Sequence, residues 1–357
     1  MDLKIFEAPP EKRKPKPADE NALGFGNIYT DHMLVMNYKN GAGWGEPYIQ
    51  PYQPLVLDPA AMCLHYGQMI FEGMKCFRRS DGGLQLFRPR DNFERMNRSG
   101  ARLCIPPIDV DTALESLKAL LRLEQDWVPH THGTSLYIRP TIIASEPHLG
   151  VRPAKEYIYF VILGPVGAYY PEGFNPVKIR VEDVYVRASS GGVGEAKTAG
   201  NYAASLLAAE KAHSEGYTQV LWLDGVARKY VEEVGTMNML FLMDDEVVTP
   251  PLAGTILPGI TRQTVLKLAR EIGGVKVSER PIAIEEIMTK AKDGRLREAF
   301  GSGTAAVISP VSQIVYKGES VTVGNGGTGP FAQMLFDEIT AIQYGDKEDS
   351  HGWVVRL

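Results

Sequence analysis

Cysteine is scarce in this chain: three among 357 residues, at Cys63, Cys76 and Cys104. They lie far apart, are odd in number and form no C-x-x-C pair, which argues against a disulfide framework and a thiolate zinc site. Histidines are scattered too; His130 and His132, in VPHTHGT, are the one close pair, and spacing alone does not make them metal ligands. Long apolar runs are also missing. The longest, YIYFVILGPVGAYY at 157–170, is broken by Gly164-Pro165 and falls short of the ~20 residues a spanning helix needs. It reads as a buried strand running into a loop. No strong charge of either sign accumulates: a net charge of −5 and a pI near 5.9 argue against nucleic-acid and membrane-surface partners. The opening MDLKIFEAPPEKRKPKPADE has neither an apolar signal core nor an acid-poor amphipathic helix, so residues 1–20 read as an extended arm. The expectation is a reduced, intracellular, cytoplasmic protein without metal.

What is there is a globular composition, 44% apolar and 23% charged, in a chain long enough for two domains. Strand-like segments (MLVMNY, MIFEGMKCF, LQLFRP, SLYIRPTII) alternate with helical ones through the first half. In TALESLKALLRLEQDW, Thr112 and Glu115 stand in capping-box register. GAYYPEGFNPV, 167–177, is dense in Gly, Pro and aromatics and reads as an interdomain connection. This divides the chain into the arm, an α/β domain at 21–166, the connection, and a larger domain at 178–357.

The stretch GGVGEAKTAGNYAASLLAAEKA, 191–212, puts Lys197 at the end of a glycine-rich run and before a small-residue helix. A phosphate-binding P-loop would need glycine where Ala196 stands, so a nucleotide-binding reading is weak. If its stem is buried and its amine desolvated, such a lysine has a lowered pKa and can act as an amine nucleophile toward an aldehyde. For an arbitrary lysine, a place on the surface is the commoner outcome. What distinguishes Lys197 is its company: KTAGNY is followed by VEEVGTMN (231–238), ILPGITR (256–262) and FGSGTA (300–305).

This ordered set resembles the branched-chain amino-acid aminotransferases, class IV pyridoxal-phosphate enzymes of fold type IV, from about Phe25 to the C-terminus. The resemblance implies a mixed α/β, two-domain fold with the site at the domain interface, pyridoxal 5′-phosphate as cofactor, and a homodimer. It makes Lys197 the Schiff-base lysine and Glu233 the carboxylate facing the pyridine nitrogen. Tyr202 becomes the phenol on the ring oxygen and Arg95, in FERMNRS, the phosphate-binding arginine. Ile260 and Thr261 would supply backbone N–H groups at a helix start, a natural phosphate seat, with hydroxyls from Thr236 and Thr304. Substrate would meet Phe25, Tyr66, Phe71, Tyr137, Arg139, Val151, Tyr169, Thr236 and Ala305, with Tyr66 and Val151 approaching the neighbouring subunit's site.

On composition alone Glu232 has the same claim as Glu233, Arg95 could be a solvent-facing helix residue, and the aromatics could be ordinary core. Other fold type IV enzymes, a D-amino-acid aminotransferase or an aminodeoxychorismate lyase, share much of the pattern. A non-catalytic protein retaining the fold is a further alternative. One departure stands out: where vertebrate members carry a C-x-x-C redox pair, this chain has Ala306 and Ser309, which cannot form a disulfide.

Overall fold

The computed structural model of the chain describes residues 3–167, 174–272 and 274–357. Two antiparallel strands, Ser135–Ala144 and Glu156–Val166, form the spine of the first sheet, in register from Ser135 opposite Val166 to Ala144 opposite Tyr157. Side chains alternate across a strand, and here the alternation separates two tasks. Leu136 and Ile138, with Tyr157, Tyr159, Val161 and Leu163, are buried in a core that includes Phe93 and Met96 of the helix Pro89–Arg102 and Leu117, Leu120 and Leu121 of the helix Val110–Leu123. The intervening Tyr137, Arg139, Phe160 and Ile162 are only half-buried, on the other face.

Among the described residues this sheet has ten strands. Its spine continues on one side through His32–Lys39 and Tyr48–Pro51 to the arm's Lys4–Ile5, and on the other through Met74–Arg78 and Leu84–Phe87 to Val354–Arg356. The segment MIFEGMKCF, expected as one strand, is two, Met69–Phe71 and Met74–Arg78, both paired with Ser135–Ala144. The break falls opposite Pro140, which has no N–H to offer; Glu72 N–H donates to its carbonyl at 2.8 Å.

In the second sheet, Val231–Val234, Gln219–Leu223, Val177–Glu182, Val307–Tyr316, Leu296–Gly303 and Met237–Met243 pair in that order, and the last pairs back to the first. These strands therefore close into a barrel. The helices Leu206–Ser214, Ile260–Ile272 and Ile284–Lys292 pack on its strands.

The chain divides into two units: Met1–Tyr169 with Ala196–Ala199 and Ala341–Leu357, and Tyr170–Glu195 with Gly200–Thr340. The C-terminal residues, expected in the second domain, belong to the first unit. Val354–Arg356 extends its sheet, and Ile342 and Tyr344 are buried with Phe77 and Phe87. Two further expectations are corrected. The helix at 110–123 is capped by Asp109, which accepts from Thr112 N–H at 2.8 Å, so Thr112 lies inside the helix and is not its cap. The small-residue helix after Lys197 is two, Ala199–Ala203 and Leu206–Ser214. It breaks where Ser205 Oγ donates to the Tyr202 carbonyl at 2.7 Å, competing with the helix ladder.

Candidate active site

Both backbone polar groups of Lys197 are hydrogen-bonded. Its N–H donates to Ser99 Oγ at 2.9 Å and its carbonyl accepts from Phe71 N–H at 3.0 Å. Thr198 bridges to Ile70, and its hydroxyl donates to the Met69 carbonyl at 2.7 Å. The lysine thus enters alongside Met69–Phe71, and its Nζ stands 4.9 Å from the centre of the Phe71 ring. Gly191, at φ +73°, makes the turn that leads there. A P-loop would carry this lysine into a long helix; here the following helix has five residues, Ala199–Ala203.

Phe71 is also where Arg139 arrives, its guanidinium carbon 4.9 Å from the ring centre. Arg139 and Tyr137, two apart on one strand, share a face as their spacing predicts, and Arg139 Nη2 donates to the Tyr137 hydroxyl at 3.0 Å. Phe25 stands edge-on to Tyr137 at 4.9 Å between centres. Phe25, Ile28, Tyr137, Arg139, Ile162 and Gly164 border a cavity of about 250 Å³. Arg139 Nε is buried and has no hydrogen-bond partner. An unsatisfied buried donor on a cation is costly, and an anionic group entering the cavity would relieve it.

Arg95 is buried, not solvent-facing. On the helix Pro89–Arg102, its Nε and Nη2 donate to the two carboxylate oxygens of Glu72, each at 2.8 Å, and Glu72 is fully buried. Ser99, one turn along the same helix, holds Lys197, so one helix aligns the arginine and the lysine.

In the second unit, strand register gathers the remaining candidates. Glu233 pairs with Asn238 across a two-residue hairpin whose tip is Gly235-Thr236. Asn238 also pairs with Ser302, and Gly303 pairs with Val307 around Thr304–Ala306. Both hairpin tips, carrying Thr236, Thr304 and Ala305, therefore lie at the same end of the sheet. Asn238 Nδ2 donates to Glu233 Oε1 and to the Leu257 carbonyl, both at 2.9 Å. Leu257 N–H returns to Glu233 Oε1 at 3.2 Å. This ties the turn before the helix Ile260–Ile272, and with it Ile260 and Thr261, to the same place. Glu233 Oε2 pairs with Arg187 Nε at 2.6 Å. Every one of these neighbours is a donor, an arrangement suited to a carboxylate and not to a carboxylic acid. Glu232, equally buried, faces elsewhere: its Oε1 accepts from the Thr255 hydroxyl at 2.5 Å, and burial raises its pKa.

Tyr202 is half-buried on its short helix. Tyr66 and Val151 are not drawn into the Phe71 cluster; they are 40% and 86% exposed, on a surface where the Tyr66 hydroxyl bonds the Leu149 carbonyl. Tyr169 lies outside the described residues. Sequence reasoning missed Glu72, Arg187 and the bridging role of Asn238. Asn238 was in plain view within VEEVGTMN, whereas nothing local marks Glu72 or Arg187 as buried.

A family model described as Amino-transferase class IV matches residues 69–314. Branched-chain-amino-acid aminotransferase 2 of Bacillus subtilis is 54% identical over 97% of this chain and 94% of its own length. A branched-chain-amino-acid aminotransferase of Mycolicibacterium smegmatis is 47% identical over 94% and 92%. Among solved structures, the Escherichia coli branched-chain amino acid aminotransferase superposes with a TM-score of 0.72 at 29% identity, over 90% of this chain and 98% of the other. The T.th. branched-chain amino acid aminotransferase with pyridoxamine 5′-phosphate gives 0.74 at 26%, over 90% and 97%.

Proposed function

The chain belongs to the class IV aminotransferases, and within them to the branched-chain-amino-acid aminotransferases; from this premise we propose that it moves the amino group of L-leucine, L-isoleucine or L-valine to 2-oxoglutarate, as a cytoplasmic homodimer using pyridoxal 5′-phosphate. The observation that carries this reading is the Phe71 ring, against which an amine, Lys197, and an arginine with an unsatisfied buried N–H, Arg139, both rest.

The donor sets fit the cofactor. Its phosphate calls for N–H and guanidinium donors, its pyridine nitrogen for an ionised carboxylate, and its aldehyde for an amine. The helix start at Ile260–Thr261 and Arg95 answer the first need, with hydroxyls from Thr236 and Thr304. Glu233, surrounded by donors, answers the second, Tyr202 would meet the ring oxygen, and Lys197 answers the third. When bound, pyridoxal phosphate supplies an electron sink for the substrate's α-carbon.

The chain's own residues do the rest. Lys197 holds the cofactor, and once released its Nζ takes and returns the proton at the substrate α-carbon, acting as base and then acid. The apolar wall of Phe25, Ile28 and Ile162 takes a branched side chain and excludes water. Arg139 takes a carboxylate, which suits the shared need of a branched amino acid and of 2-oxoglutarate. Both half-reactions use one site, so ping-pong kinetics are expected.

A spectral titration tests this. The protein with pyridoxal phosphate should show a visible band that shifts on adding L-leucine, L-isoleucine or L-valine and returns with 2-oxoglutarate. A shift with D-amino acids alone would mean a D-amino-acid aminotransferase, and no band at all would refute the reading.

A further inference from the structure

The N-terminal arm has no part in the scheme above, yet buried side chains tie it to the first unit. Lys4–Ile5 pairs in parallel with Tyr48 and Ile49, and Phe6 N–H donates to the Ile49 carbonyl at 2.9 Å. Beyond this strand the arm is held twice. The N–H of Ala8, which is buried, donates to Nε2 of His32 at 2.7 Å. Lys14 N–H donates to Asp31 Oδ1 at 2.7 Å, and its ammonium donates to the carbonyls of Tyr29 and Thr30 at 3.1 and 2.9 Å. Lys16 adds an ion pair with Asp31 Oδ2 at 3.3 Å and lies over the Trp127 ring.

The two holds answer differently to protons. His32 and Glu124 are each 2% exposed, and His32 Nδ1 bonds Glu124 Oε1. Glu124 Oε2 accepts from Asp31 N–H at 3.1 Å. A carboxylate can only accept, so Nδ1 carries the proton of the ring and Nε2 is left as the acceptor that Ala8 needs. The opposite tautomer would satisfy neither contact. A proton added at Nε2 makes the ring a donor at both nitrogens and sets N–H against N–H at Ala8. The resulting cation keeps its carboxylate partner, so the ring stays and the arm gives way. Asp31 behaves otherwise. Burial works to raise its pKa, but the bonds from Lys14, Trp127 and Lys16 outweigh burial and leave the carboxyl below its usual value. The remaining groups at this place are Lys14, whose pKa burial lowers against Asp31 and Glu124, and Arg13, which pairs with Glu7 and donates to the Ala8 carbonyl. Tyr52, stacked under Lys14, has its pKa raised by burial. Among all these side-chain types only histidine ordinarily changes charge between about pH 5 and 8.

We propose that His32 and Glu124 form a proton-operated catch for the arm: neutral His32 fastens Ala8, protonated His32 releases residues 4–8, and Asp31 keeps residues 14–16 in place in both states. Release leaves the edge of Tyr48–Pro51 without its partner strand, so this end of the sheet opens in acid and closes again at neutral pH.

Hydrogen exchange of the full-length holoenzyme, resolved by residue and corrected for the intrinsic effect of pH on exchange, tests this between about pH 5 and 8. The Phe6 and Ala8 amides should lose at least tenfold in protection on the acid side, reversibly, while the Lys14 amide keeps its protection. His32→Gln offers Ala8 an acceptor that cannot take up a proton, so its Ala8 amide should stay protected throughout. Glu124→Gln keeps an acceptor for Nδ1 but removes the charge that favours the cation, so release should move to lower pH. This second variant serves as the test if His32→Gln does not fold. Unchanged protection of Ala8 in wild type overturns the proposal. So does acid release in His32→Gln, or a midpoint unmoved in Glu124→Gln, because the proton would then act elsewhere. Lys14 opening together with Ala8 also overturns it, since the arm would then leave as one body without a separate catch at His32.

Discussion

The Arg95–Glu72 pair of the first unit and the Arg187–Glu233 pair of the second have the same components and nearly the same burial, with side chains 4% and 0% exposed in one and 7% and 3% in the other. They are built in opposite senses. Glu72 gives both oxygens to Arg95, so the carboxylate serves to hold the arginine. Arg187 divides its donors between Glu233 and the carbonyls of Gly194 and Thr255, at 3.0 and 2.5 Å, so there the arginine is anchored to backbone and holds the glutamate. A buried ion pair alone therefore does not reveal which partner carries the chemistry.

The largest effect should come from Lys197. Lys197→Ala removes the amine and leaves both pairs intact, so turnover should vanish while cofactor binding through the phosphate contacts persists. Absorbance and activity measured together check this, and wild-type-like activity would sink the site. Next comes the second pair. Glu233→Gln keeps the size and the hydrogen-bonding oxygen but loses the charge, and should lower kcat by orders of magnitude in a correctly folded protein. Glu232→Gln should leave kcat near wild type. If the two variants exchange phenotypes, the wrong glutamate has been assigned.

The first pair should show a separable effect. A charge-assisted contact contributes about 1.5–3 kcal/mol, so Arg95→Ala should weaken cofactor affinity roughly ten- to more than a hundredfold. It also leaves Glu72 buried and unpaired, a loss of about 3–5 kcal/mol in stability. Arg95→Met/Glu72→Met replaces both charges with apolar groups, which buried pairs often tolerate. It should recover the melting temperature but not the affinity. Recovery of both would show that Arg95 holds the fold and not the phosphate.

Much of the first unit was legible because its signals are local. The alternation in SLYIRPTII places Tyr137 and Arg139 on one face, and the structure bonds them to each other. Hairpin register was less legible: that Thr236, Thr304 and Ala305 meet depends on Asn238 lying opposite Ser302, across more than sixty residues of chain. Helix ends were misread where a nearer acceptor won, as Asp109 did over Thr112. The holders were not legible at all. Glu72 and Arg187 are polar residues in ordinary contexts, and burial that makes a polar residue a partner is a property of tertiary packing.

The smallest effect separates Glu232 from its neighbour by pH. Its pKa is raised above the usual carboxyl value chiefly by burial, and repulsion from Asp224 adds to the rise. The Thr255 hydroxyl bond and Arg187 oppose it. A carboxyl with a raised folded pKa binds its proton more tightly in the native state than in the unfolded chain. Between the two values the unfolded state holds fewer protons, so stability falls as pH rises. Below the unfolded value, near 4.5, Glu232 contributes no penalty; above its folded value the penalty is complete and constant. Glu232→Gln cannot ionise, and its amide oxygen can still accept from Thr255. The variant should therefore melt at the same temperature as wild type near pH 4 and at a higher one near pH 8, with the gap opening between. Thermal melts of both proteins across that range measure it. Parallel curves would mean that Glu232 titrates as it does in the unfolded chain, and that its buried oxygen, without a hydrogen-bond partner, costs the fold nothing.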